Sequence, residues 1–206
     1  MDISAFSKIE VSGKHAETML QGLVANRLPR KTGGIVLTHL LNQRGRIEIE
    51  VTAIRLAEDR FYLICAAFFE QRLIDHITQN AADGDFTVTN RSVQWAALAL
   101  QGPASRDVLA AVTDTPLDNA HFRWLSAQPI EIAGARLWAL RLSYAGELGW
   151  ELHGPADSML AVYDALWQAG TAHGIANYGS FAMNAMRMEK GFKGAGELTN
   201  EVTLPE

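Results

Sequence analysis

Residues Ile47 to Leu56 alternate. Ile47, Ile49, Val51 and Ala53 fall on one side of an extended chain, and Glu48, Glu50 and Thr52 on the other. That period of two is a strand pattern, because a helix would scatter both sets around its circumference. The preceding run, Ile35 to Leu41, is apolar and rich in β-branched residues, and Asn42-Gln43-Arg44-Gly45 between the two runs is turn chemistry with a glycine for positive φ. The pair reads as a hairpin, so the chain starts from antiparallel pairing.

The rest of the chain repeats the theme. Phe6 to Val11 is a strand broken by Ser12-Gly13. His15 to Leu28 carries Met19, Leu20, Leu23 and Val24 at helical spacing, with Pro29 to stop it. Phe61 to Cys65 is a strand, and Phe69, Leu73, Ile74 and Ile77 mark a helix ending before Asp83-Gly84-Asp85. A second block follows, with a strand over Val93 to Leu100 and a helix from Gly102-Pro103 to about Val112. A hairpin folds around Ala133-Gly134, between Ile130 to Ile132 and Leu137 to Leu142, and Gly149 to Leu152 is a short strand. Helices close the block over Asp157 to Ala169 and Phe181 to Lys190. Hairpins interspersed with isolated helices, without regular βαβα alternation, predict an α+β fold with mixed, largely antiparallel sheets. Two blocks, roughly 1–91 and 92–206, make up the one domain expected over 1–206. The chain stops at Thr203-Leu204-Pro205-Glu206 with no closing element, so a cut in a longer protein is expected.

Composition removes several functions. With 48% apolar and 20% charged residues in 206, the mix is that of a globular protein. A net charge of −5 supplies no basic face for nucleic acid, and the cluster Arg27 to Lys31 is broken by Leu28 and Pro29. Cys65, the one cysteine, lies within Phe61-Tyr62-Leu63-Ile64-Cys65-Ala66-Ala67 and reads as a small buried hydrophobe in a reducing compartment. The expected location is cytoplasmic, since Met1-Asp2-Ile3-Ser4 is too polar for a signal peptide. No apolar run approaches the ~20 residues of a membrane span. Histidines at 15, 39, 76, 121, 153 and 173 show no ligand spacing, and no metal site is expected.

Three places carry chemistry. Glu48 and Glu50 stand two residues apart on one strand face; such a pair could hold a cation or act as a general base, with one pKa raised if both are buried. The commonest meaning of alternating Glu, however, is the polar outer face of an edge strand. Ser143-Tyr144-Ala145-Gly146-Glu147-Leu148-Gly149-Trp150-Glu151-Leu152 joins two strands through a glycine-rich turn. It offers aromatic rings for stacking and carboxylates that can accept paired N–H bonds from the amino-pyrimidinone edge of a pterin; the alternative is a β-turn with an aromatic core residue. In Met186-Arg187-Met188-Glu189-Lys190-Gly191-Phe192, Arg187 and Lys190 share a helical face. They suit an anionic tail such as a folate glutamate, or simply the C-terminal dipole of a surface helix.

These motifs occur in a familiar order. With Phe6-Ser7-Lys8-Ile9-Glu10-Val11-Ser12-Gly13, Leu41-Asn42-Gln43-Arg44-Gly45-Arg46-Ile47-Glu48, Ala99-Leu100-Gln101-Gly102-Pro103, Ser143 to Leu152 and Met186 to Pro205, the chain resembles the glycine-cleavage T-protein (aminomethyltransferase) family. That family also includes the folate-binding parts of sarcosine and dimethylglycine dehydrogenases, and the tail Gly-Glu-Leu-Thr-Asn-Glu-Val-Thr-Leu-Pro-Glu looks nearest to that branch.

The resemblance implies helices and sheets around a central folate cavity, with tetrahydrofolate as cofactor. It implies one-carbon transfer from a lipoyl carrier protein or an amine-derived iminium. Tyr144 and Glu151 match folate-contacting positions, and Arg187 a polar position near the substrate. Glu50 takes the place of the family's key acid, an Asp, and so reaches one methylene farther. Leu37 stands where many members have a Tyr. The family's N-terminal segment, C-terminal barrel and flavin domain are not in this chain, which implies uncovered apolar surface and association between copies. It also leaves open a non-catalytic folate- or partner-binding module.

Overall fold

The computed structural model describes residues 1–80, 84–194 and 197. The chain divides into two compact units. One runs from Ala5 to Ser92 and takes in Lys193 and Gly194; the other comprises Met1–Ser4 and Val93–Phe192.

The first unit is a sheet of five strands, β1 (Ser7–Ser12), β2 (Ile35–Leu41), β3 (Ile47–Ala57), β4 (Arg60–Cys65) and β5 (Thr87–Asn90), with α1 (Ala16–Leu23) and α2 (Glu70–Asn80). The order is β2-β3-β4-β1-β5, every pairing antiparallel. Alternation along β3 works as expected: Ile49, Val51 and Ala53 join Ile9, Val11, Leu63, Leu20, Leu73 and Ile77 in one core, each large aliphatic contributing ~1.5–3 kcal/mol. In the β2–β3 turn, Asn42 Oδ1 accepts the N–H groups of Arg44 (2.9 Å) and Arg46 (3.1 Å), and Gly45 takes φ +73°. Glycine is needed there, since a Cβ is disfavoured at that φ.

The helix expected over His15 to Leu28 is shorter. It ends at Leu23, where Val24 turns extended (φ −102°, ψ 145°) and bridges Leu40. Beyond it, Ala25 N–H donates to His39 O (2.9 Å) and Asn26 N–H to Thr38 Oγ1 (3.0 Å). Backbone partners on the sheet edge outweighed the helical periodicity of the side chains.

The second unit holds β6 (Trp95–Gln101), β7 (Ala127–Ile132), β8 (Ala135–Leu140) and β9 (Gly149–Pro155), again antiparallel, in the order β6-β9-β8-β7. Asp2 bridges Leu98 at the β6 edge. Three helices belong to this unit, α3 (Ser105–Ala110), α4 (Met159–Gly170) and α5 (Ser180–Glu189). Leu98, Leu100, Trp150 and Leu152 pack with Val108, Leu109, Val162 and Leu166 from α3 and α4. The fold is thus α+β with antiparallel sheets. The tail Gly196 to Glu206 lies, apart from Glu197, outside the described residues.

Candidate functional site

Strand β9 sends successive side chains to opposite faces. Trp150 and Leu152 enter the core, so Glu151 and His153 share the other face. The His153 imidazole is fully buried, and its Nε2 lies 3.1 Å from Glu151 Oε2, whose side chain is 14% exposed. An N–H at Nε2 donates to the carboxylate and fixes its orientation while leaving lone pairs free.

Tyr178 completes this corner. Its hydroxyl donates to Gln101 Oε1 at 2.8 Å. Burial, and then the negative charge of Glu151, push the phenol up to about 12, so it stays a neutral donor. Gln101 and Tyr178 line a cavity of about 240 Å3 together with Tyr163 and Trp167, whose rings stack at 5.8 Å. Gln101 Nε2 is buried without a hydrogen-bond partner. A buried unpaired donor costs roughly 1–3 kcal/mol, so its place at a cavity wall is that of a group awaiting an acceptor.

The Tyr144 ring stacks against Phe192 (6.4 Å, 18° between planes). Beside it the turn at Gly146 closes with Gly146 N–H to Ser143 O (3.2 Å), and Lys190 Nζ reaches Glu147 Oε1 at 3.0 Å. Arg187 is buried. Its Nε and Nη2 donate to Asn184 Oδ1 (3.0 and 2.7 Å), and Nη1 donates to Phe192 O (2.7 Å). Arg187 and Lys190 therefore hold the Tyr144–Phe192 pair through both neighbouring segments.

Glu50 belongs to the first unit. On β3 it faces His39 of β2 in register, with His39 Nε2 3.3 Å from Glu50 Oε2 and side chains 16% and 20% exposed. Leu37, opposite Thr52, shares that face and is half exposed. Glu48 has its own partners: Asn42 Nδ2 donates at 2.9 Å, and Arg72 pairs with it. Burial opposes its charge, yet Asn42 and Arg72 outweigh burial and hold the carboxyl below its usual range. The raised pKa expected of a like-charge pair does not arise at Glu48, because Asn42 and Arg72 hold its charged form.

The structure thus gathers Tyr144, Glu151 and Arg187 in one unit and places Glu50 in the other. His39, His153, Gln101 and Tyr178 were not singled out from sequence. His153 follows Glu151 by two on a strand, the same spacing that flagged Glu48 and Glu50, so alternation would have found it. Tyr178 sits in a loop with no periodicity to mark it. Among the described residues no group of three or more His, Cys, Asp or Glu is placed to hold a metal, and no helix is long and apolar enough to cross a membrane.

Comparison with known proteins bears on the whole chain. The family described as GCVT N-terminal domain matches residues 1–206. Human mitochondrial dimethylglycine dehydrogenase is 34% identical over 206 residues, covering 99% of this chain and 24% of the dehydrogenase. An aminomethyltransferase of Halalkalibacterium halodurans is 33% identical over 205 residues, covering 98% of this chain and 55% of the relative. The crystal structure of the glycine cleavage system aminomethyltransferase T from Bartonella henselae superposes with a TM-score of 0.84 at 26% identity, over 98% of this chain and 54% of that one. The chain therefore spans about a quarter to a half of these relatives.

Proposed function

The chain belongs to the GCVT N-terminal domain family, and from that premise we propose that it binds tetrahydrofolate and serves aminomethyltransferase-type one-carbon transfer. The observation that carries this is Glu151: a partly buried carboxylate oriented by a buried histidine, with the Tyr178 hydroxyl and the unpaired Gln101 Nε2 nearby. This donor and acceptor set fits a pterin. Glu151 accepts the paired N–H groups of its amino-pyrimidinone edge, Gln101 Nε2 supplies a donor, and Tyr144, backed by Phe192, supplies an aromatic face. Arg187 supports that face by clamping the carbonyl of Phe192.

Bound tetrahydrofolate supplies the nitrogens that accept a one-carbon unit, from a lipoyl carrier protein or an amine-derived iminium. Glu50 takes the role of the acid that holds a proton or stabilises a developing cation, with the His39 ring beside it on β2.

A second reading is a binding module without catalysis. Glu50 favours it, as a carboxylate one methylene longer than the family's Asp, and so does the half-exposed Leu37 in place of an aromatic wall. A displacement near 1 Å can cost on the order of a hundredfold in rate. A one-carbon transfer assay separates the two. Measurable transfer that rises in Glu50→Asp supports the enzyme. Tetrahydrofolate binding with no transfer in either protein supports the module, and absence of binding refutes both.

A further inference from the structure

On the face of β9 opposite Glu151, two arginines meet without a counter-ion. Arg106 of α3 and Arg141, just past β8, both lie against the buried Trp150 ring, at 5.9 and 5.7 Å from its centroid. Each donates an Nη2 hydrogen to the same neutral acceptor, Asn119 Oδ1, at 2.9 and 2.7 Å. Arg141 also donates to Phe122 O. Arg106 Nε is buried with no partner. Among the described residues no carboxylate pairs with either guanidinium. The nearby Asp118 is occupied by His121 Nδ1 (2.6 Å) and by the N–H groups of Ala120 and His121.

Holding two cations on one amide oxygen is unfavourable. Burial, and then the charge of Arg106, pull Arg141 below the ordinary arginine range. The ring face of Trp150 offsets part of this, but a neutral carbonyl does not neutralise two charges. Arg106 and Arg141 are intermediate in burial and Asn119 is at the surface, so solvent reaches the pair.

We infer that Arg106 and Arg141 form an oxyanion site, distinct from the Glu151 corner, that takes a phosphate or carboxylate group of a small ligand. Guanidinium forks match both groups through paired charge-assisted hydrogen bonds. Strand alternation puts the site on the other side of the sheet from the proposed pterin edge, so it does not depend on the folate assignment.

Calorimetric titration of the chain with inorganic phosphate, and separately with acetate, tests this, with sodium chloride holding ionic strength constant. Saturable binding of at least one anion is expected, and the stronger of the two identifies the group. Arg106→Gln should weaken it about tenfold or more, while Arg123→Gln, at an exposed arginine outside the pair, should leave it unchanged. In buffer without either anion, Arg106→Gln should be at least as stable as the wild type, because a like-charge contact is relieved. Absence of saturable binding by either anion, or equal binding by Arg106→Gln, overturns the proposal. So does a loss of stability in Arg106→Gln without anion, which would make the pair a structural clamp.

Discussion

Gly146→Ala tests how the Tyr144 turn is held. Gly146 has φ +74°, and a Cβ added there would lie 2.4 Å from Lys190 Cγ and 3.0 Å from Lys190 Cδ. The left-handed backbone alone costs an L-residue roughly 1–2 kcal/mol. The contact forces the Lys190 side chain aside and breaks its 3.0 Å pair with Glu147, which at this exposure is worth about 1 kcal/mol or less. The expected loss is therefore about 2 kcal/mol. All five tryptophans, at 95, 124, 138, 150 and 167, lie in the unit that contains Val93–Phe192, so urea unfolding followed by tryptophan fluorescence reports on the right unit. In a Lys190→Ala background the offending Cγ and Cδ are gone, and Gly146→Ala should then cost about 1 kcal/mol less than in the wild type. Equal costs in the two backgrounds, or a loss below ~0.5 kcal/mol in the wild type, would refute the reasoning.

Other expectations concern the first unit. Arg55 is buried, forks onto the half-exposed Glu17 at 3.0 and 2.7 Å and caps the carbonyls of Pro29 and Glu58; Arg55→Ala leaves those carbonyls without their donor and should cost roughly 1–3 kcal/mol by hydrogen exchange of β3 amides, and a cost under ~0.5 would contradict this. Burial pushes the Cys65 thiol up to about 11, so a disulfide reagent at pH 8 should modify it only as fast as the unit opens; modification at the rate of a free thiol would count against it. His76 is held below its ordinary 6.5 by burial, so the unfolded chain takes its proton first and stability falls as pH drops below about 6.5. Glu48 is held below its ordinary 4.5, burial notwithstanding, by Asn42 and Arg72, so its contribution is complete above 4.5 and lost below it. In denaturation against pH followed by circular dichroism, His76→Leu should remove the upper part of that decline and Glu48→Gln the lower; unchanged profiles would sink the assignment.

What could be read in advance depended on the range of the forces involved. The β2–β3 hairpin was legible because alternation and turn chemistry are local. The true end of α1 was not, because Val24 answers to Leu40 across the sheet. The strand β5, four residues of Thr-Val-Thr-Asn on an edge, carries too few apolar residues to register. At the candidate site, Glu151 could be picked out beside its turn. The burial of Arg187 could not, since its partners are an amide on its own helix and a carbonyl beyond the helix end. Gln101 needed the cavity itself to show that its Nε2 lacks a partner.

The central claim rests on Glu151 as the acceptor of a pterin edge. Titrating tetrahydrofolate into the chain and into Glu151→Ala, with tryptophan fluorescence as the signal, measures it most directly. Loss of the carboxylate leaves the ligand's buried N–H donors unpaired, at roughly 1–3 kcal/mol, so affinity should fall about 5- to 150-fold; the buried His153 Nε2 loses its acceptor as well, so circular dichroism at the titration temperature checks that the variant is folded. If Glu151→Ala binds tetrahydrofolate as tightly as the wild type, the pterin edge lies elsewhere; if neither protein binds it, the folate assignment itself is wrong.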